Sequence, residues 1–115
     1  MRIRRRFFFE AAHQLPRHPG KCRNPHGHSY CLVVTVERPL DSDTGMGIDF
    51  ADLKEVVRRE VVDLLDHRSL NECIENPTAE EMAVWIWKRL EGPLPGLEEI
   101  ELHETRDASV VYRGE

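Results

Sequence analysis

The stretch His26–Glu37, HGHSYCLVVTVE, constrains this chain more than any other, because its β-branched and aromatic residues commit it to an extended strand. Side chains alternate between the faces of a strand, so His26 and His28 share the apolar face with Tyr30, Leu32, Val34 and Val36. A second extended segment, Ile3–Leu15, gives Phe7, Phe9 and Ala11 the parity of His13. Folded back as a hairpin over the Pro/Gly-containing loop Pro16–Pro25, the end of the first strand lies beside the start of the second. His13 then meets His26 and His28.

A lone H-x-H in a strand is more often exposed or hydrogen-bonded than metal-bound. A third histidine brought to the same place by the hairpin shifts the balance to a metal. A closed zinc knot would need four ligands, usually with paired cysteines, whereas a catalytic site takes three and keeps a position for water or substrate. His13, His26 and His28 fit the second pattern, with Cys22 to spare. All-imidazole ligation suits Zn2+, although nickel, copper or iron would also accept it. Cys22 stands between Lys21 and Arg23, a cationic setting that favours a reactive thiolate over an inert thiol.

The 115 residues suffice for one domain, 1–115, that buries roughly two-thirds of its unfolded surface. Three cysteines cannot all pair and show no disulfide spacing, which points to a reducing, cytoplasmic setting. The opening MRIRRRFFFEAAH falls far short of a signal-peptide core or a membrane span. A formal net charge of −5 argues against nucleic acid as a partner. The one basic block is Arg2, Arg4, Arg5 and Arg6; alternation puts three of these opposite Phe7 and Phe9, where they read as solvated strand surface. Lys21, Arg23 and Arg17 remain candidates for local phosphate contact.

After a turn-rich stretch, Pro39–Gly47, Asp49 is placed to cap a helix running to about Leu65, with an apolar stripe of Leu53, Val56, Val57, Val61 and Leu64. Thr78 and Glu81 form a T-x-x-E capping box that opens a second helix ending near Leu90. Leu97–Arg106 and Ser109–Arg113 read as a second hairpin. The order ββααββ predicts an α+β fold, a four-stranded antiparallel sheet with two helices on one face. Its uncovered face and two free edges predict a homo-oligomer.

Glu104 continues the parity of Ile100 and Leu102, and a carboxylate on a buried face needs a partner: an arginine such as Arg113, or a cationic or N–H-rich ligand. Asp66 and His67, just past the first helix, can form a proton relay in which the carboxylate orients the ring, although a histidine there also suits the helix dipole.

FEAAHQL, CRNPHGHSY, GIDF, LDHRSLN, NPTAEEMAVWIW and the terminal ET…VYRG, in that order and over nearly the whole chain, resemble the 6-pyruvoyltetrahydropterin synthase family. The resemblance implies a tunnelling fold in which subunits close a β-barrel, commonly a hexamer, with active sites at the interfaces. It implies zinc on His13, His26 and His28, Cys22 as catalytic thiol, Asp66 and His67 as its partners in proton transfer, and Glu104 gripping the pterin's guanidine-like edge. Residues around Pro77 and Thr78 would also contact the pterin. The four-position step from Cys22 to His26 resembles the carboxy-forming bacterial branch, whose zinc-dependent lyase reaction on a pterin triphosphate leads to queuosine. The pyruvoyl-forming branch would keep the three-carbon side chain. A non-catalytic zinc- or pterin-binding protein is the reading from another class; it would need none of Cys22, Asp66 and His67. His103 and Asp107-Ala108-Ser109 depart from the family's form.

Overall fold

The computed structural model describes residues 1–115. Two twelve-residue strands, β1 (Arg2–His13) and β2 (His26–Glu37), form the antiparallel hairpin that the alternation predicts. β1 ends at His13, two residues before the expected Leu15. β4 (Leu97–His103) pairs antiparallel with β2, and β5 (Ser109–Tyr112) with β4. The sheet has a fifth member: β3 (Arg68–Ser69) lies parallel to β1 at Ala11 and Ala12. The sheet is therefore mixed and five-stranded, in the order β3-β1-β2-β4-β5, rather than four-stranded and antiparallel. Two residues carry no periodicity, so β3 could not be read in advance.

The first helix, α1, runs as Phe50–Val57, a π-helical segment Arg58–Val62 and a last turn Asp63–Leu65. Asp49 caps it by accepting from the Ala51 N–H at 2.7 Å. In the π segment Asp63 N–H reaches back five residues to Arg58 O, which widens the turn and rephases the apolar stripe. Val61, Val62 and Leu65 are buried as a result, and Leu64, expected inside, is only half-buried.

The second helix, α2 (Ala79–Leu90), buries Met82, Ala83, Ile86 and Leu90 as its spacing predicts. Its capping box is half formed: Thr78 Oγ1 accepts from Glu81 N–H at 3.1 Å, while Thr78 N–H donates to Asn76 O at 2.8 Å and so needs nothing from Glu81. Both helices pack into one core with Phe7, Phe9, Tyr30, Leu32, Ile100 and Leu102. After α2 the chain turns back through Gly96, whose positive φ of 89° and 2.5 Å approach of a notional Cβ to Glu37 O exclude any side chain there.

The other face of the sheet has no helix over it. Arg2 pairs with Glu98 at 2.7 Å and Arg4 with Glu101 at 3.1 Å, and Arg4 also donates to Thr35 Oγ1. This lattice of charges covers Thr35, leaving it 3% exposed, whereas Phe8 and Val111 stand clear at 69% and 52%. The sheet is open, with β5 on one edge and most of β1 unpaired beyond β3 on the other. The molecule measures 54 × 25 × 25 Å, with a radius of gyration of 15.0 Å against about 13 Å for a compact chain of this length. The hairpin protrudes.

Candidate metal centre and active site

His13 lies directly opposite His26 in the β1–β2 register, and His28 stands opposite Ala11. The ligand nitrogens of the three rings all lie within 4.8 Å of one another, with His13 buried and the other two half-buried. Two backbone carbonyls assign the tautomers. His13 Nδ1 sits 2.8 Å from Pro77 O and His26 Nδ1 2.8 Å from Asn24 O, so both Nδ1 atoms carry protons and donate.

The Nε2 atoms of His13 and His26 are then lone pairs, and they face each other at 2.9 Å. Two acceptors that close repel unless a cation lies between them. His28 Nε2 is buried without a hydrogen-bond partner, 3.3 Å from Glu104 Oε1. Convergent ring nitrogens, with the outer nitrogens of two rings tied to carbonyls, match the donor set and outer shell that a divalent metal such as zinc takes. The residues fit a metal. Burial lowers the pKa of His13, against the opposing pull of the Pro77 bond and Glu104, and keeps the ring in its neutral, ligating form. Beneath it Tyr30 stacks on Phe9 with ring centres 5.1 Å apart; burial, with Glu104 adding to it, raises the phenol's pKa and holds it neutral.

Glu104 follows β4, where Ile100 and Leu102 are fully buried, and its parity delivers the carboxylate to the histidines. Oε1 lies 3.3 Å from Nε2 of both His13 and His28. Arg113, the structural partner the sequence offered for it, pairs with Glu99 at 2.9 Å instead. Cys22 sits in the 3-10 turn Lys21–Arg23 and lines a cavity of about 560 Å³ with His18, Lys21, His26, His28 and Glu104. That volume suits a small-molecule ligand.

Asp66 and His67 are held together but elsewhere. Asp66 Oδ1 accepts from Glu10 N–H at 2.9 Å and lies 3.0 Å from His67 Nδ1. The Glu10 N–H, with the His67 bond adding to it, holds this carboxyl below the usual range. His67 takes a left-handed φ of 60° while its N–H donates to Glu10 O. Its side chain is 77% exposed and lines a separate groove of about 520 Å³ with Glu10, His28 and Ser29.

Within one chain the structure gathers His13, His26, His28, Glu104 and Cys22, and leaves Asp66, His67 and Thr78 outside their cavity. Sequence reasoning missed Pro77 O and Asn24 O as orienting groups, and His18 as a lining residue. The Asn24–Pro25 step carried a local signal, since the residue before proline is held extended and its carbonyl is free to meet His26. Pro77 had none, being 64 positions from His13.

A family model described as 6-pyruvoyl tetrahydropterin synthase matches residues 2–115. The chain is 44% identical to 6-carboxy-5,6,7,8-tetrahydropterin synthase of Synechocystis sp. over 96% of its own length and 91% of that protein. It is 40% identical to the 6-pyruvoyl tetrahydrobiopterin synthase of Homo sapiens over 84% of its length and 72% of that protein. Among solved structures, the 6-pyruvoyl tetrahydropterin synthase of Caenorhabditis elegans superposes with a TM-score of 0.90 at 28% identity, over 100% of this chain and 96% of that one.

Proposed function

This chain belongs to the 6-pyruvoyl tetrahydropterin synthase family, and on that footing we propose that it is a zinc-dependent carbon–carbon lyase of queuosine formation. It converts 7,8-dihydroneopterin triphosphate and water to 6-carboxy-5,6,7,8-tetrahydropterin, acetaldehyde and triphosphate. The observation that carries the reading is a single cavity that Cys22 shares with Glu104 and with His26 and His28 of the convergent histidine group. The 44% identity to a relative of that name, spanning nearly both chains, supports the carboxy-forming branch.

His13, His26 and His28 would hold the zinc, which when bound supplies a Lewis acid that acidifies protons beside the substrate's side-chain oxygens. Glu104 binds the pterin by accepting two N–H bonds from its 2-amino-4-oxo edge. Cys22 Sγ removes a proton from the side chain. Asp66, kept ionised, orients His67 through Nδ1 and leaves Nε2 to exchange the proton. Thr78, next to the carbonyl that holds His13, contacts the pterin only at the cavity's margin, its main task being the helix cap.

His67 lines a different groove from Cys22, so the relay that serves each thiol comes from a neighbouring copy. The assembly is a homo-oligomer, a hexamer in this reading; the open sheet edges and the exposed Phe8 and Val111 on the uncovered face support it. The reading assigns no part to nucleic acid or membrane. Arg2 and Arg4 are neutralised by glutamates, and no helix is long and apolar enough to cross a membrane. Three free thiols accord with a reducing cytoplasm.

Incubation of the pure protein with 7,8-dihydroneopterin triphosphate, with mass identification of the pterin, tests the reading. A 6-carboxy product with acetaldehyde supports it. A 6-pyruvoyl product, which keeps all three side-chain carbons, would place the chain with its pyruvoyl-forming relatives, such as the 40% identical human one. Zinc and pterin binding without turnover would leave a binding protein.

A further inference from the structure

The loop Pro16–Pro25 carries Arg17, Lys21 and Arg23 and no acidic residue, although the chain as a whole has a formal net charge of −5. The structure separates these cations. Arg17 reaches Glu75 at 3.7 Å, and Arg23 lies outside the cavity lining. Lys21 lines the Cys22 cavity and has no carboxylate within ion-pair distance, the one carboxylate of that cavity, Glu104, lying instead 3.3 Å from His13 and His28.

Beside Lys21 stands His18, whose Nδ1 accepts the Gly20 N–H at 2.9 Å. That bond assigns the ring proton to Nε2, which makes the free edge of His18 a donor. Gly20 packs against the same ring, where an added Cβ would come within 3.2 Å of His18 Cε1 and press on it. The cavity thus has two chemically opposite walls on different elements. Glu104, after β4, is the acceptor wall, and His18 with Lys21, in the loop, is the donor wall, with Cys22 on the loop beside Lys21.

We infer that Lys21 and His18 form the polyphosphate subsite of this cavity, and so select a phosphorylated over an unphosphorylated pterin. The inference rests on the reading proposed above and gives it an orientation: the N–H-rich ring at Glu104, the phosphates at the loop, and the side chain between them beside Cys22. An unpaired ammonium and a fixed N–H donor provide charge-assisted bonds to phosphate oxygens, which neither Glu104 nor the unprotonated metal-site nitrogens could offer.

The test uses the zinc-loaded full-length protein and two probes, inorganic tripolyphosphate and unphosphorylated 7,8-dihydroneopterin, with Lys21→Met, Lys21→Arg, His18→Phe and Arg23→Met as variants. Lys21→Met should weaken tripolyphosphate binding about tenfold and raise KM for the triphosphate substrate by a similar factor, leaving dihydroneopterin affinity within about twofold. Lys21→Arg should restore most of the loss, and His18→Phe should show a smaller one. Arg23→Met removes the same charge from the same loop, and should change tripolyphosphate binding less than about threefold, since a cation outside the cavity lining acts through screening solvent.

Equal losses in Lys21→Met and Arg23→Met would overturn the subsite, as the field of the whole loop would then be the cause. So would dihydroneopterin binding with no effect of Lys21 on tripolyphosphate. Lys21-dependent tripolyphosphate binding in a protein that binds no dihydroneopterin would support the subsite and remove the pterin reading beneath it.

Discussion

Two centres flank His28, and they differ in what one chain completes. On one side the histidine cluster is finished: three rings, two orienting carbonyls and a neighbouring thiol are all supplied by the hairpin, its loop and Pro77. On the other side Asp66 and His67 are oriented with equal care, by two contacts to the Glu10 backbone, yet the ring projects into an open groove with no thiol in it. The first is assembled by strand register, which one chain fixes alone. The second is held by backbone contacts at the rim of an open groove. Folding energy can place a side chain firmly without giving it a reactant, and the Asp66–His67 pair shows that.

The contrast breaks most sharply at the metal. His26→Ala and His28→Ala should each lose nearly all bound zinc and lower turnover by more than about a thousandfold, the scale of removing a Lewis acid worth several kcal/mol. His67→Ala should keep wild-type zinc by the same elemental analysis. Equal zinc loss in all three would merge the centres into one.

Cys22→Ala should retain zinc and pterin and lose turnover by at least about a hundredfold, the scale of a positioned proton-transfer group. His67→Ala should do likewise. Unfolded together and refolded as a mixture, the two variants should recover activity that neither has alone, with a mass several times one chain by light scattering. No recovery in a well-formed oligomer would place both residues in the same subunit's site.

Glu104→Gln should weaken pterin binding about tenfold by titration without changing zinc content, because an amide cannot supply two charged acceptors. Unchanged affinity would reduce Glu104 to a neighbour of the histidines. The smallest effect belongs to Thr78→Ala, which removes the acceptor for Glu81 N–H and should cost about 1 kcal/mol in denaturant unfolding while leaving pterin affinity nearly intact.

The finished centre was largely legible in the sequence, and the open one only as a list of residues. Register made the difference. Alternation from Phe7 to His13 and from His26 to Val36 determines which side chains share a face, and a hairpin leaves one way for them to meet. Glu104 was legible by the same parity, although its surroundings were not, since seeing that it leaves Arg113 to Glu99 and lies beside the histidines needs the bend after His103. β3 and the left-handed His67 depend on where α1 ends, and the π segment that sets this leaves no mark in an apolar pattern already rich in valine. The separation of His67 from Cys22 was beyond any reading by spacing, because it is a property of two cavities and of no single segment.

The bond from His13 Nδ1 to Pro77 O has a consequence for the lifetime of the protein in a cell. Pro77 immediately precedes the cap of α2, so a group that locks His13 also braces the start of a helix on the far side of the chain. Ions that bind only the native state stabilise it by mass action, and here the gain would be spent partly on residues 73–78. Amide exchange at Glu81 should slow on loading with zinc. Chains without the ion should fray at that loop first, so limited proteolysis of metal-free protein should cut there before it cuts the sheet.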